Sequence, residues 1–164
     1  MRVLVGFFVM VSLLAIPFHS SAQEMTKEQV AKVEAEVLAF ADAWVEVWEE
    51  NSCEKGERFL HPDRLAFIQG GKALNSSEWL ESCATSLETR AGFSGQLLDA
   101  TVHVLTPKAA VVVLSLEATY RSTDGTSRHY PMSAQHGLVE LMEAGWVFTT
   151  FSYSNGSYDS GEGG

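Results

Sequence analysis

Apolar residues recur at spacings of three and four along the segment that follows Thr26. The repeating positions are Val30, Val33, Val37, Phe40, Ala41, Trp44 and Trp48. Because an α-helix turns once in about 3.6 residues, this spacing predicts an amphipathic helix that ends near Glu50. Thr26 and Gln29 have the spacing of a capping box, which predicts where the helix begins.

A shorter second helix and a small hairpin are predicted next. The helix covers residues 53–60 and stops before Pro62, because proline lacks the N–H that a continuing helix needs. The pair Gly70-Gly71 can supply the positive φ angles of a tight turn. It therefore predicts a hairpin between residues 64–69 and 72–74.

The third helix is predicted from its cap. Asn75 and Glu78 form a capping pair, and the helical pattern continues to about Arg90. Cys83 falls on the apolar stripe of this helix, where a free thiol behaves as a small buried hydrophobe. An oxidising compartment would instead permit a disulfide with Cys53. The sequence leaves both states of the two cysteines open.

From Gln96 onward the pattern changes to long strands. They are predicted at residues 97–105, 109–121, 127–142 and 146–154. Asp124-Gly125 has the composition of a two-residue hairpin turn between the second and third of these. Three helices followed by an antiparallel sheet define an α+β fold. The polar, glycine-rich tail at residues 155–164 is predicted to be disordered.

Several strands carry apolar residues on both faces, and residues 111–114 form a continuous apolar run. The helices can cover one face of the sheet. A second copy of the chain across the other face would give a homodimer, and a better-wrapped monomer is the alternative.

The first residues have the form of an export signal. Arg2 precedes an almost wholly apolar run to Phe18, and Ser20-Ser21-Ala22 provides the small residues that a signal peptidase recognises. We therefore expect a signal peptide at residues 1–22 and a periplasmic or secreted domain at residues 23–154. An uncleaved anchor is the alternative, and no membrane attachment is expected after cleavage.

Charge and composition narrow the function classes. A formal net charge of −10 disfavours nucleic-acid binding, because such a surface repels phosphate. The two cysteines lack a Cys-x-x-Cys spacing, which argues against redox catalysis and a zinc site. The sequence has no glycine-rich phosphate loop and no Ser-His-Asp pattern. We expect no metal and no cofactor.

Three segments together resemble the nuclear transport factor 2-like superfamily. They are AFADAWVEVW, FLHPDRLAFIQGGKAL and the terminal EAGWVFTTFSYS. The resemblance covers about residues 28–154, and the superfamily includes SnoaL-type polyketide cyclases, ketosteroid isomerases and scytalone dehydratases. It implies a cone-shaped fold with three N-terminal helices packed on a strongly curved, mainly antiparallel sheet. It also implies an apolar pocket at the mouth of the cone, and homodimers are common in this superfamily.

The chain departs from the family pattern where catalysis is expected. Ketosteroid isomerases place a general-base carboxylate on the strand after the second helix, whereas residues 65–68 contain none. Many relatives place His on the closing strand, where this chain has Thr150 and Ser152. Because hydroxyls are poor bases without a partner, we favour binding over catalysis and leave enzyme activity open.

Three residues elsewhere are candidates for acid–base chemistry. The two-residue turn predicts the cross-strand pairs His129–Tyr120, Met132–Glu117 and His136–Val113. His129 beside Tyr120 could orient a ligand oxygen, and His136 could exchange protons near neutral pH. Glu117 could act as a base if it faces a dry pocket. The plainer interpretations are a solvated cross-strand pair, a core histidine and a surface carboxylate.

Six residues are candidates for ligand contact. They are Trp44, Trp48, Tyr120, Phe148, Thr150 and Ser152. Aromatic walls suit flat apolar ligands, although aromatic helix stripes more often form plain core. We favour an exported domain that binds a small apolar or amphipathic molecule. The alternatives are a cofactor-independent isomerase, cyclase or dehydratase, and a protein-interaction module that uses the sheet face.

Overall fold

The first helix has the predicted position and cap. The computed structural model describes residues 25–69, 71–155 and 159–161, and helix α1 spans Lys27–Glu49. Thr26 Oγ1 accepts a hydrogen bond from the Gln29 N–H, and Gln29 Oε1 accepts one from the Thr26 N–H, which confirms the capping box. The signal peptide expected at residues 1–22 lies outside the described residues.

The second helix is shorter than predicted. Helix α2 spans Cys53–Glu57 instead of reaching Leu60. The chain leaves the helix because Phe59 accepts a hydrogen bond from the Phe148 N–H, and the His61 N–H donates to the Phe148 carbonyl. The pairing with the strand that contains Phe148 therefore ends α2 at Glu57, and Pro62 is not the residue that stops the helix. Helix α3 spans Ser76–Thr89, and its predicted capping box is confirmed.

A sheet follows, and its concave face packs against α1. The strands are β1 (Ala66–Gln69), β2 (Lys72–Leu74), β3 (Arg90–Thr106), β4 (Ala109–Ser122), β5 (Ser127–Met142), β6 (Gly145–Asn155) and β7 (Asp159–Gly161). Within the described ranges they form one sheet in the order β2-β1-β6-β5-β4-β3, with β7 paired to β5. All pairs are antiparallel except β1 with β6, which confirms the mainly antiparallel α+β fold.

Strand β3 begins earlier than predicted. It starts at Arg90 and not at Leu97, because its first residues pair with the end of β4. Positions 92–96 contain one apolar residue, Phe93, among glycine, serine and glutamine, so the sequence there lacks the alternating apolar pattern that predicts a half-buried strand.

The tail also differs in part from its prediction. Residues 155–164 were expected to be disordered, but Asp159–Gly161 forms the short strand β7. It pairs with β5 at residues 127–129, where β5 extends beyond its pairing with β6. The remaining positions 156–158 and 162–164 lie outside the described residues.

The turn between β4 and β5 has one residue more than predicted. Gly125 has a φ of +87°, and the Ser122 N–H donates to the Thr126 carbonyl, so the loop comprises the residues between these two. His129 therefore lies opposite Thr119, and the predicted pair with Tyr120 is wrong. Proline cannot donate to a strand ladder, so Pro131 marks a bulge that shifts the register back.

Because of this bulge, one predicted cross-strand pair does not form and another forms as predicted. Two β5 residues, Pro131 and Met132, lie opposite the single residue Glu117, so the predicted Met132–Glu117 pair does not form. Beyond the bulge the register is the predicted one, and His136 lies opposite Val113.

Bulges elsewhere bend the sheet around the helices. In β3 the pairing skips Ala91, Leu98 and Leu105, and in β6 it skips Thr149. Each extra residue increases the local bend and twist of its strand. The bulge at Thr149 also lets Phe148 and Phe151 face the same side, although strict alternation would separate them.

The core lies between α1 and the concave face of the sheet. The buried positions of α1 are Val33, Val37, Phe40, Ala41, Trp44, Val45 and Val47. They meet alternate residues of β4, of which Val112 and Leu114 are fully buried. On the outer face Val113 is 38 % and Met132 is 62 % exposed, so that face does carry the apolar residues from which a homodimer is predicted. No helix in the described ranges is long and apolar enough to span a bilayer.

Gly137 permits the close approach of β5 to β6, and its substitution tests this contact. A Cβ added at Gly137 would overlap the Thr150 carbonyl oxygen and lie 2.9 Å from Phe148 Cδ1. We expect Gly137→Ala to lower the free energy of unfolding by about 1–3 kcal/mol in urea denaturation, as overpacking does. Gly92→Ala is the matched control, because nothing lies within 4 Å of its added Cβ. Equal stabilities for the two variants would contradict the assigned register.

Candidate ligand-binding site

A cavity of about 120 Å³ lies between the helices and the concave face of the sheet. Helices α1 and α3 form one side, and strands β1, β3, β4, β5 and β6 form the other. Because so many elements meet here, the site depends on the complete fold and on no single motif.

Aromatic residues are prominent in the cavity wall. Phe67 stacks on Phe151 with ring centroids 5.3 Å apart and an interplanar angle of 18°. Trp48 meets Trp79 edge to face at 5.8 Å and lies 6.4 Å from Phe93. These contacts hold the rings in fixed orientations, so the wall offers flat apolar surface to a ligand.

Arg90 brings a positive charge to this apolar wall. It is the residue after α3 and the first of β3, and it is only 8 % exposed. Its Nε donates to Asn51 Oδ1 at 2.8 Å, and its guanidinium carbon lies 5.5 Å from the centre of the Trp48 ring. Asn51 has a left-handed backbone, with φ of 53°, which asparagine tolerates well. The sharp turn after α1 thus places the amide that holds Arg90.

The guanidinium of Arg90 has no acidic partner among the described residues. Burial lowers its pKa from the ordinary value, and the nearby Tyr120 opposes this change. Arg90 Nη2 is buried without a hydrogen-bond partner in the described part of the chain, and so is Trp48 Nε1. Two unused donors therefore belong to residues that line the cavity.

Tyr120 adds a phenol to the same wall. Its ring lies 5.0 Å from Phe93 and 5.6 Å from Tyr130, both in edge-to-face contact. Burial raises the pKa of Tyr120 to about 12, with smaller contributions from Tyr153 and Tyr130, while Arg90 acts in the opposite direction. The phenol stays protonated at neutral pH and can donate a hydrogen bond.

Neutral polar groups of the cavity wall bond to one another and to the core. Gln69 Nε2 donates to the Tyr153 hydroxyl at 3.2 Å, and Ser82 Oγ donates to Gln69 Oε1 at 3.4 Å. Gln135 Oε1 accepts from Trp44 Nε1 at 3.1 Å beneath the cavity. In the described ranges no three His, Cys, Asp or Glu side chains come together as metal ligands.

The six residues predicted to contact a ligand divide into three groups. Trp48 and Tyr120 line the cavity. Trp44 and Phe148 are fully buried in the core that forms its floor. Thr150 and Ser152 lie on the outer face, where Thr150 Oγ1 accepts from the Leu138 N–H at 3.0 Å.

The three candidates for acid–base chemistry do not form one cluster, since His136 lies opposite Val113 and His129 lies opposite Thr119 on the same strand. His136 Nε2 is 2.8 Å from Ser152 Oγ, and His129 Nδ1 is 3.1 Å from Thr119 Oγ1. Glu117 borders the cavity, but its Oε1 lies 3.7 Å from His129 Nε2. Of the three candidates, Glu117 alone is a lining residue of this cavity, and His129 and His136 do not line it.

Solved structures of similar shape identify the fold. No protein-family model and no curated protein sequence matches this chain significantly. A nuclear transport factor 2-like superfamily protein from Salmonella enterica has a TM-score of 0.70 and 17 % identity, over 78 % of this chain and 94 % of its own. This chain has the nuclear transport factor 2-like fold.

Two other proteins with this fold carry names of enzymes. A provisionally named scytalone dehydratase from Novosphingobium aromaticivorans has a TM-score of 0.72 and 10 % identity, over 82 % of this chain and 91 % of its own. A hexachlorocyclohexane dehydrochlorinase, LinA type 2, has a TM-score of 0.71 and 8 % identity, over 84 % of this chain and 95 % of its own. Identities this low establish a shared fold and leave function to the site.

The predicted ligand contacts omit Phe67, Trp79 and Phe93 of the cavity wall, and they also omit Arg90 and the residue that holds it, Asn51. Arg90 was taken as the end of a helix, where a basic side chain ordinarily favours the helix dipole. Its partner Asn51 is 39 residues earlier, so only the folded chain brings the two together. The available signal was Asn51 itself, an asparagine directly after a long helix.

The disulfide left open by the sequence is present. Cys53 in α2 and Cys83 in α3 are bonded, and Cys83 lines the cavity. The bridge joins residues separated by 30 positions and so fixes α3 against α2. It is part of the cavity wall as well as of the core.

Removal of this bridge tests its contribution to stability. We expect the double variant Cys53→Ala/Cys83→Ala to lose about 3–4 kcal/mol of unfolding free energy, from the loop entropy of a closure of this length. Guanidinium denaturation measures the loss. A reducing agent should weaken the unmodified protein equally and leave the double variant unchanged. If the reducing agent did not change the unfolding free energy of the unmodified protein, the presence of the disulfide would be contradicted.

The raised pKa of Tyr120 predicts a loss of stability at high pH. The phenol is neutral in the fold up to about pH 12, but titrates near pH 10 in the unfolded chain. Its contribution is therefore complete below about pH 10 and falls by roughly 2–3 kcal/mol as pH rises through about 12. Urea denaturation across this range should show a difference between the unmodified protein and Tyr120→Phe that changes with pH. A constant difference would contradict the burial of this phenol.

Proposed function

We propose that this protein binds a small molecule, with a flat apolar part, in the cavity between α1, α3 and the sheet. The observation that carries the proposal is the cavity itself, which is walled by aromatic rings and floored by the closed core of Trp44 and Phe148. A chain selected only for stability would fill such a space with side chains, since protein interiors pack to nearly uniform density.

The size of the cavity limits the ligand. A cavity of about 150 Å³ holds one benzene ring, so about 120 Å³ suits a part of a molecule no larger than a single ring. The stacked pair Phe67 and Phe151 leaves a flat surface on which such a ring can lie. Ser82 and Ser86 of α3 also line the cavity and leave space that larger side chains would occupy.

The proposal includes export to an oxidising compartment. The apolar leader at residues 1–22 supports it, and the disulfide between Cys53 and Cys83 is stable under such conditions. A ligand-binding domain outside the cytoplasm would meet its ligand directly from the medium.

A blocked cavity provides the test. Thermal shift and tryptophan fluorescence would measure binding of a panel of toluene, benzamide, benzoate and phenylphosphonate. We expect at least one compound to stabilise the protein saturably, and Ser86→Phe to abolish that effect because the ring fills the cavity. The fluorescence should change on binding, because Trp48 and Trp79 line the cavity.

Ala84→Phe is the matched control, since Ala84 is an exposed residue of the same helix that does not line the cavity. It should bind the ligand as the unmodified protein does. The proposal fails if no compound of the panel binds, or if Ser86→Phe binds with unchanged affinity.

A further inference from the structure

Two residues of the cavity wall carry hydrogen-bond donors that have no partner in the part of the chain that the structure describes. Among the described residues, two buried side-chain nitrogens have no hydrogen-bond partner, Arg90 Nη2 and Trp48 Nε1. Both residues line the cavity, and the Arg90 guanidinium lies over the Trp48 ring. Buried polar groups in folded proteins are nearly always paired, so the coincidence of two unpaired donors at one cavity points to a missing acceptor.

The charge of Arg90 makes the missing partner anionic. A buried guanidinium without a counter-charge is strongly unfavourable, and the neutral amide of Asn51 satisfies only its Nε. No described carboxylate pairs with Arg90, and that of Glu117 instead faces His129. The fold therefore retains an uncompensated charge at the wall of the cavity.

The neighbouring groups are donors as well. Trp48 Nε1 can only donate, and the protonated phenol of Tyr120 can donate in the same cavity. A planar guanidinium presents parallel N–H groups that match the two oxygens of a carboxylate. A group with several acceptor oxygens and no donors complements residues of this kind.

We propose that the ligand is a small aromatic carboxylate, whose carboxylate binds Arg90 and Trp48 and whose ring lies against the aromatic wall. This inference rests on the proposed function and specifies its ligand class. A monoanion fits better than a phosphate dianion, because Arg90 is the one cationic residue among the described residues that line the cavity. The net charge of −10 further opposes a doubly charged ligand.

Binding of two isosteres to the unmodified protein is the first test. Benzoate and benzamide have nearly the same shape and differ in charge, and phenylphosphonate carries the alternative anion. Isothermal titration should show benzoate binding about 10- to 100-fold more tightly than benzamide, the range expected for a charge-assisted hydrogen bond. Benzoate should also bind more tightly than phenylphosphonate.

Variants at Arg90 assign the preference to the guanidinium. Arg90→Met should reduce the preference for benzoate over benzamide to less than about threefold, and Arg90→Lys should retain part of it because the charge remains. Arg121→Met is the control, since it removes the same charge from an exposed position next to Tyr120. It should leave the preference unchanged.

The stability of the Arg90→Met variant without ligand distinguishes a ligand-binding residue from a structural one. Removing an uncompensated buried charge should leave the melting temperature of the ligand-free protein unchanged or higher. If the variant does not fold, the isostere comparison and Arg90→Lys still decide the question.

The outcomes separate the two proposals. Equal affinity for benzoate and benzamide, or a preference that persists in Arg90→Met, overturns the carboxylate assignment while the cavity remains a binding site. Tighter binding of phenylphosphonate replaces the carboxylate with a phosphate-like anion and likewise overturns the assignment. Binding of toluene alone overturns this inference and leaves the proposed function in place, whereas binding of no compound, toluene included, removes both.

Discussion

The packing of Trp44 against the aromatic residues of β6 is the contact on which the rest of the fold depends. Its ring lies 5.4 Å from both Phe148 and Phe151, in edge-to-face contact. Its Nε1 also donates to Gln135 of β5, so the one polar atom of this buried side chain is satisfied. The position and rotation of α1 are thereby fixed, and Trp48, one turn later, is brought to the cavity. The same contact therefore closes the core and sets the wall of the site.

The starts of the helices could be predicted from residues that are neighbours in sequence, whereas the face on which a strand residue lies depends on the positions of bulges. The caps at Thr26 and Asn75 are formed by neighbours in sequence, and their partners were identifiable from spacing alone. By contrast, the face on which His129 lies depends on a loop with one additional residue and on a bulge at Pro131. Apolar alternation cannot locate a bulge, because one inserted residue moves every following side chain to the other face. Pro131 was the visible clue in the sequence.

Two aromatic residues of the cavity wall were among the predicted ligand contacts, whereas its charged residue was not. Trp48 and Tyr120 could be identified because large rings in amphipathic elements lie either in a core or beside a cavity. Arg90 could not be identified, since its burial depends on its contact with Trp48 and on its hydrogen bond to Asn51, which is distant in sequence. A basic residue at the end of a helix is ordinarily solvated. Only tertiary structure distinguishes the solvated arginine from the buried one.

A well-packed core allows the fold to hold an unfavourable group nearby. The aromatic cluster around Trp44 and the disulfide from Cys53 to Cys83 both stabilise the elements that carry the cavity. That stability offsets the cost of a buried guanidinium without an anion, which a weaker domain would not tolerate. Proteins that share this fold at 17 % identity or less share its shape, and a shared shape does not establish a shared function. The proposed ligand is therefore inferred from the unpaired donors, because the fold itself does not require them.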